Sequence, residues 1–287
     1  MVSLLPLKLI ETIIDHLDEA GDDDLDNDPF SSLKAFSLVC CSFLAPCQSH
    51  LFATISLRPP CHSWIWNVGC GWVDWKNFNS THQLKSSIAA FSCMTAASPH
   101  LLGYVCCLNL YGSPYPLNPL LPPARHTEWL SSQSHHLMTF IPNLTPKLRG
   151  FGIYNVDWNE LSPKVLDPVN SIFESTHLTS LTIVDMTNIP ITVLASCVHL
   201  QHFTLESYQS TWDDSALTWG PASNYQKPRL TSLKLFTQDS IIDWFSMENC
   251  LFNILHLCHL VLLWGDPYFM KNFQICSSSL ESFMINS

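Results

Sequence analysis

The stretches LRGFGIY (residues 148–154), LTSLTIV (178–184) and LQHFTLE (200–206) share one pattern. Each has an apolar residue, two variable residues, a second apolar residue, one variable residue and a third apolar residue. The last two apolar positions are two residues apart, which places their side chains on one face of a β-strand. So short a strand cannot bury an apolar face alone, so the pattern predicts that the copies stack side by side.

This apolar pattern occurs seven times along the chain. From the second copy onward, successive copies start 30, 22, 30, 27 and 23 residues apart. The spacing resembles that of leucine-rich repeats, whose period is about 20 to 29 residues. We therefore expect each copy to supply one strand to a shared parallel sheet and to return by a helix or an irregular turn. The triplets are Val105/Leu108/Leu110, Leu148/Phe151/Ile153, Leu178/Leu181/Ile183, Leu200/Phe203/Leu205, Leu230/Leu233/Leu235, Leu257/Leu260/Leu262 and Leu280/Phe283/Ile285.

The first 57 residues predict a compact helical module. Apolar residues recur at helical spacing up to Leu17, and an acidic run separates this helix from a second one. The second helix is expected to begin at Ser31 or Ser32 and to be interrupted by Pro46, before a β-like run at 54–57. Its inner side is expected to carry Leu33, Phe36, Val39, Cys40 and Phe43.

The segments LPLKL (5–9), LVCCSF (38–43) and HLF (50–52) resemble the F-box modules of basidiomycete fungi. Two positions depart from the family pattern, since Lys8 stands where an acid is common and Cys41 where a base is common. The resemblance implies that apolar residues of the module contact the adaptor Skp1 or support that contact. These residues are Leu5, Pro6, Leu9, Ile13, Leu17, Leu38, Val39 and Phe43.

The predicted fold class is α/β, with a small helical F-box followed by an irregular leucine-rich-repeat solenoid. We expect the F-box-like module at 1–57, an irregular connector at 58–98 and the repeats at 99–287. Three interpretations of the connector's four tryptophans stay open: a binding platform, a poorly packed insertion and a segment that a corrected gene model would omit. The absence of periodicity favours the last two. The final repeat stops just after Ile285 without a polar capping unit, as expected of a truncated gene model.

The composition excludes several classes of protein. Hydrophobic residues make up 47% of the chain and charged residues 13%, which excludes a wholly disordered chain. Eight of the 24 acids lie between Asp15 and Asp28, so the rest of the chain is nearly neutral and predicts no nucleic-acid partner. We also expect no membrane span, and twelve cysteines without a signal peptide predict a cytoplasmic or nuclear protein.

No motif in the sequence predicts catalysis, a cofactor or a metal. Glycine-rich phosphate loops, His-Glu-x-x-His and Gly-x-Ser-x-Gly are all absent. His135-His136, or Cys61-His62 with Cys70, do not supply four ligands at zinc spacing. Two other histidines, His202 and His259, are expected at outward positions of strands. The carboxylates of Asp157, Asp213 and Asp214 are interpreted as loop and helix-cap residues.

An F-box followed by leucine-rich repeats resembles the substrate-receptor subunit of an SCF-type ubiquitin ligase. The resemblance implies that the F-box binds Skp1, and through it a cullin, while the repeats hold the target protein. Catalysis in that family belongs to other subunits, which agrees with the lack of catalytic motifs here. The alternative is a leucine-rich-repeat binding scaffold that does not take part in ubiquitination.

The strand alternation predicts where a target protein binds. If the second and third apolar positions of each copy face inward, the residue between them and the residue after the third both face outward. A one-residue shift in register would exchange the two faces. Tyr154, Phe236 and Leu263 are predicted to anchor the target, with Glu206 and Lys234 setting charge complementarity. The full outward column is Tyr111, Tyr154, Val184, Glu206, Phe236, Leu263 and Asn286.

Deleting residues 21–26 from the acidic run should leave the midpoint of thermal unfolding essentially unchanged. The acids of this run repel one another at close range, and Leu25 is its main apolar anchor. Calorimetry of the deletion variant beside the full chain measures the effect. A large fall in the midpoint would show that the run packs against the folded protein.

Overall fold

The protein is an α/β structure built on an eight-stranded parallel sheet, as the sequence predicts for its class. The computed structural model describes residues 31–39, 41–59, 87–112, 128–207, 227–236, 245, 250–263 and 279–286. The order of the strands in the sheet follows their order in the chain, so each strand pairs with the next one along. The strands are β1 (Thr54–Leu57), β2 (Cys107–Tyr111), β3 (Gly150–Tyr154), β4 (Ser180–Val184), β5 (His202–Glu206), β6 (Ser232–Phe236), β7 (His259–Leu263) and β8 (Ser282–Asn286).

Helices connect several of these strands. Short 3₁₀ turns lie at Pro99–Gly103 and Trp158–Glu160. In the described ranges the α-helices are α1 (Ser31–Ser37), α2 (Cys41–Leu51), α3 (Ser87–Ala97), α4 (Glu128–Ser132), α5 (Ser134–Leu144), α6 (Pro163–Phe173) and α7 (Ile191–Ala195). None of the helices in the described part of the chain is long and apolar enough to cross a membrane.

The core lies on one face of the sheet, which is covered by helices α3 to α7 and, beside β5, by Phe245 and Phe252. The second and fourth residues of β2 to β7 are all buried there, as the alternation predicts. Aromatic rings join the layers, since the rings of Phe151 in β3 and Phe173 in α6 meet edge to face at 5.6 Å. Phe91 of α3 and Phe140 of α5 make the same contact at 5.1 Å. The predicted register of the strands is therefore confirmed for β2 to β7.

A repeated backbone hydrogen-bond pattern sets the start of each strand. The carbonyl of Cys106 accepts from the backbone N–H groups of Arg149 and Gly150, at 2.8 and 3.0 Å. The carbonyl of Arg149 accepts in the same way from Thr179 and Ser180, at 2.9 Å each. The same two-donor arrangement joins every neighbouring pair from β1 to β8. The variable spacing of 22 to 30 residues is thus absorbed between the strands, while the register stays constant.

The chain leaves β3 and β4 by the same backbone turn. Asn155 follows β3 with φ of 54°, and Asp185 follows β4 with φ of 45°. Asn and Asp adopt this left-handed conformation more readily than other non-glycine residues. The N–H groups of both residues still donate to the next strand, to Val184 and Glu206 respectively, which extends the sheet by one hydrogen bond.

The helical region before the sheet differs from its prediction. Pro46 does not interrupt a helix but lies inside α2, and the break falls instead at Leu38 and Val39. The hydroxyl of Ser37 donates to the carbonyl of Lys34 at 2.7 Å, and the Leu38 N–H donates to Ala35. The side chain of Ser37 thus takes the acceptor that a continuing α-helix would use. Val39, predicted on the inner side, is 66% exposed because it lies in this turn.

The sheet begins earlier in the chain than the repeat pattern indicates. The run 54–57, predicted as part of the helical module, is β1, and it pairs in parallel with β2. Helix α3 lies within the predicted connector and buries Ile88 and Phe91 in the main core. Within the described residues this helix begins at Ser87. The acidic run, the tryptophan cluster and the proline-rich segment 114–123 lie outside the described residues.

Replacing Leu181 by Ala should lower the free energy of unfolding by about 2–5 kcal/mol, the usual cost of a cavity in a packed core. Leu181 is fully buried at the second position of β4. The neighbouring Thr182 points to the other face, so Thr182→Ala should cost roughly 1 kcal/mol or less. Denaturant unfolding of the two variants measures the difference. A larger cost at Thr182 would mean that the strand faces are reversed.

Candidate binding surface on the outer face of the sheet

The face of the sheet opposite helices α3 to α7 carries the first, third and fifth residues of each strand, and we call it the outer face. Most of its described side chains are half-buried or exposed. His202 and His259 are exposed at first positions, as the outward prediction requires. The outer face is therefore the surface that the described part of the sheet offers to a partner.

Three side chains at one end of the outer face form a stack. The rings of Tyr111 in β2 and Tyr154 in β3 lie parallel, with centroids 4.2 Å apart and an angle of 10°. The guanidinium of Arg58, just after β1, lies over the other side of Tyr111, with Cζ 4.5 Å from the ring centroid. Its Nη2 donates to the Tyr111 hydroxyl at 3.4 Å. This aromatic stack (Arg58, Tyr111, Tyr154) joins three neighbouring strands through cation–π and ring contacts.

Glycine allows Tyr154 to lie flat against the sheet. A Cβ atom at Gly152 would clash with Asn109 Oδ1 and lie 2.6 Å from Cε2 of the Tyr154 ring. Neither the Asn109 amide nor the ring can remain in place with a larger residue at this position. Gly152 is thus a requirement of the aromatic stack, since the ring occupies the space of the missing side chain.

Helix α3 holds Arg58 in position through its first residue. The Ser87 hydroxyl accepts from the backbone N–H of Arg58 at 2.8 Å and donates to the backbone carbonyl of Arg58 at 2.6 Å. Both backbone groups of Arg58 are therefore bound to one side chain 29 residues away in sequence. This contact orients the arginine side chain toward the outer face beside Tyr111.

The environment of the stack disfavours charge on Tyr154. Burial raises the pKa of the Tyr154 phenol to about 12, because the phenolate loses solvation there. Tyr111 and Cys107 contribute to this same rise in the pKa of Tyr154, and the Arg58 guanidinium acts in the opposite direction. Burial also raises the pKa of the neighbouring Cys107 thiol. Both groups are therefore neutral near pH 7 and present a hydrogen-bonding, uncharged surface beside the Arg58 guanidinium.

The predicted target-binding residues lie along the same face. Tyr154 belongs to the stack, while Glu206 and Phe236 are half-buried at the fifth positions of paired strands. Lys234 is exposed at the third position of β6. The side chain of Leu263 lies outside the described residues, and its backbone pairs with Phe236.

Sequence reasoning placed Gly152 on the outward face together with Asn109 and Lys234, but did not identify Arg58 as part of this surface. The signal for Tyr111 was present, because two tyrosines occupy the same position in successive copies of the pattern. Arg58 gave no such signal, since its strand was assigned to the helical module rather than to the sheet.

The predicted Skp1-binding residues are only partly described. Leu5, Pro6, Leu9, Ile13 and Leu17 lie outside the described residues. Leu38 and Val39, between α1 and α2, are 85% and 66% exposed. Phe43 is 8% exposed and packs with Leu33, Cys47 and Leu51 in a small core between the two helices. Phe43 thus supports the helical pair from within, while Leu38 and Val39 are available to a partner.

The carboxylate of Asp157 has a structural role. It accepts from the backbone N–H of Asn159 at 3.0 Å and from the Asn188 side chain at 3.0 and 3.1 Å. This caps the 3₁₀ turn after β3, as the sequence predicts. Across the described ranges, no group of three or more His, Cys, Asp or Glu side chains is placed to hold a metal ion. Residues 61, 62, 70, 213 and 214 lie outside those ranges.

Comparison with known proteins returns no match to this chain among protein-family models, curated proteins or solved structures.

Replacing Gly152 by Ala should displace the Tyr154 ring from the sheet and return the pKa of its phenol from about 12 toward the ordinary value near 10. Near-ultraviolet absorbance of phenolate during an alkaline titration follows this change, and Tyr154→Phe identifies the signal of Tyr154. The folded protein favours the neutral phenol, so this contribution to stability is present below pH 10 and is lost as the pH rises toward 12.

The matched control is Gly103→Ala, since a Cβ there would meet only Lys147 Nζ, at 3.7 Å. This control should leave the titration of Tyr154 as it is in the unaltered protein. An unchanged Tyr154 titration in Gly152→Ala would contradict the packing of the ring against the glycine.

Proposed function

We propose that this protein is a substrate-recognition adaptor of an SCF-type ubiquitin ligase. The F-box-like module binds Skp1, and through it a cullin, and the leucine-rich-repeat-like sheet binds the target protein. The observation that carries the proposal is the outer face itself. It is a continuous row of aligned strand positions with an arginine–tyrosine stack at the end that adjoins the helical pair.

The arrangement of strands supports the repeat assignment. Each strand from β3 to β8 pairs only with its neighbours in chain order, and equivalent residues align across the whole sheet. Leucine-rich repeats build their sheets in this manner, with one strand per repeat. Such a sheet offers a surface on which several neighbouring positions contact one partner.

The composition of the outer face supports protein recognition. Tyrosine and arginine are enriched at protein interfaces, and the stack contains two tyrosines and one arginine held in a fixed geometry. Holding these long side chains before binding reduces the entropy lost when a partner docks. No motif for catalysis accompanies this surface, so the proposed role is binding.

The exposed residues between α1 and α2 support a partner for the helical pair. Leu38 and Val39 are large apolar side chains that are exposed next to the small core formed by the described part of the two helices. Burying both in an interface gives a favourable hydrophobic contribution that the isolated module lacks. Skp1 is the partner that the F-box resemblance implies for these positions.

The connection between the helical pair and the sheet suits the proposed role. Only Phe52 and Ala53 separate α2 from β1, and their N–H groups donate to Gln48 and His50 in the helix. The Ala53 carbonyl accepts from Cys106 and Cys107 at the start of β2. A short, hydrogen-bonded connection of this kind restricts movement of helix α2 relative to strand β1. A target bound on the sheet is thereby held at a defined distance from the ligase, which raises its local concentration.

The direct test is co-purification of Skp1 with the full chain and with a Leu38→Ser, Val39→Ser double variant. The double variant should weaken binding by several kcal/mol, since apolar residues at the centre of an interface carry much of its energy. Met138→Ser is the control, because Met138 is 50% exposed but lies on α5 in the other helical layer. This control should bind Skp1 as the unaltered chain does.

A Leu9→Ala, Ile13→Ala double variant tests the first helix of the module in the same assay. If both folded double variants capture Skp1 normally, the predicted F-box surface is wrong. If the unaltered chain captures no Skp1 but does capture other proteins through its sheet, it is a binding scaffold outside ubiquitination.

A further inference from the structure

We infer that the outer face binds an extended acidic segment of the target protein, with one carboxylate held by the guanidinium of Arg58. The inference rests on the proposed function in one respect: the acidic segment is taken to belong to a protein that the ligase modifies. It adds the chemistry of the partner, which the repeat architecture alone does not specify.

Arg58 is oriented for an anion and has none among the described residues. A guanidinium carries five N–H donors, of which one contacts the Tyr111 hydroxyl. No carboxylate of the described residues pairs with it. The face of the guanidinium lies on Tyr111, so its remaining edge is the part available to a ligand. Such an edge binds a carboxylate through two parallel hydrogen bonds.

The stack and Ser87 prepare the arginine for binding. Tyr111 holds one face of the guanidinium, and Ser87 holds the backbone N–H and carbonyl of the same residue. A free arginine side chain would lose much rotamer freedom on binding, whereas this one is already restricted. The hydroxyl groups of Tyr111 and Tyr154 beside the guanidinium can also donate to a carboxylate.

A second cation lies farther along the outer face. Lys234 is exposed at the third position of β6, and no described carboxylate pairs with it. Five strand spacings separate β1 from β6, or about 24 Å at roughly 4.8 Å per strand. An extended peptide of about seven residues spans that distance. The two ends of such a segment reach the two cations, which favours acidic residues at both ends.

The test measures binding of a labelled heptapeptide with two glutamates at each end and three serines between them. Fluorescence anisotropy compares the full chain with the variants Arg58→Gln and Lys234→Gln. Each variant should weaken binding roughly tenfold, the effect of losing one charge-assisted hydrogen-bonded contact. Added salt should weaken binding by the unaltered chain.

The matched control is Lys164→Gln, which removes one exposed cation from α6 in the helical layer. It should leave peptide binding unchanged. Ser87→Ala should weaken binding without removing any charge, because it releases the backbone of Arg58. Circular dichroism of each variant establishes that it is folded. Arg58 and Lys234 are both exposed, so either variant suffices if the other fails to fold.

Three outcomes would overturn the inference: equal binding of a peptide with glutamine in place of glutamate, unchanged binding by both folded variants, or tighter binding of a short single-stranded RNA.

Skp1 capture by the same preparations separates the two proposals. Skp1 capture without peptide binding overturns the acidic-segment inference and leaves the adaptor role in place. Peptide binding without Skp1 capture overturns the adaptor role and retains the acid-binding face.

Discussion

Two apolar side chains on each strand from β2 to β7, at its second and fourth positions, fill the core on the inner face of the sheet. No strand of five residues can remove these side chains from water by itself, so each depends on the strand before and after it. Parallel pairing in chain order gives each strand such neighbours along the sheet. The shared carbonyl acceptors at the strand starts then keep every pair in the same register, whatever the length of the connection.

The outer face follows from this constraint. Because side chains alternate along a strand, burying the second and fourth positions directs the first, third and fifth to the other side. A constant register then aligns those residues across neighbouring strands. Tyr111 and Tyr154 stack because they occupy the same position of paired strands, and Gly152 leaves space for the second ring. The stack thus depends on the constant strand register that packing of the core requires.

Contacts distant in sequence complete the surface. Arg58 reaches Tyr111 because β1 pairs with β2 across more than fifty residues of chain, and Ser87 of α3 holds its backbone. The same end of the sheet adjoins α2 through two residues. The proposed target-binding end and the proposed Skp1-binding module are therefore close along the backbone. Motion between them is limited by hydrogen bonds at the connection.

The α/β class, the number and spacing of the strands from β2 to β8 and the inward pairs of β2 to β7 were determined by the sequence. These features depend on local periodicity, and residues two apart on a strand share a face in any protein. The outward position of Tyr154, Glu206, Lys234 and Phe236 follows from the same rule. Phe283 of β8, which the same pattern predicts to face inward, is instead 38% exposed.

Only the tertiary structure decided which outer residues meet. Nothing local indicates that the run 54–57 joins the sheet, so the place of Arg58 beside Tyr111 depends on a strand pairing over a long connection. The helix break at Leu38 and Val39 was likewise misplaced at Pro46, because a serine side chain competed for a backbone carbonyl. Periodicity describes which face a side chain takes. Contacts between distant segments depend on the free energy of the whole packed chain, which no single segment contains.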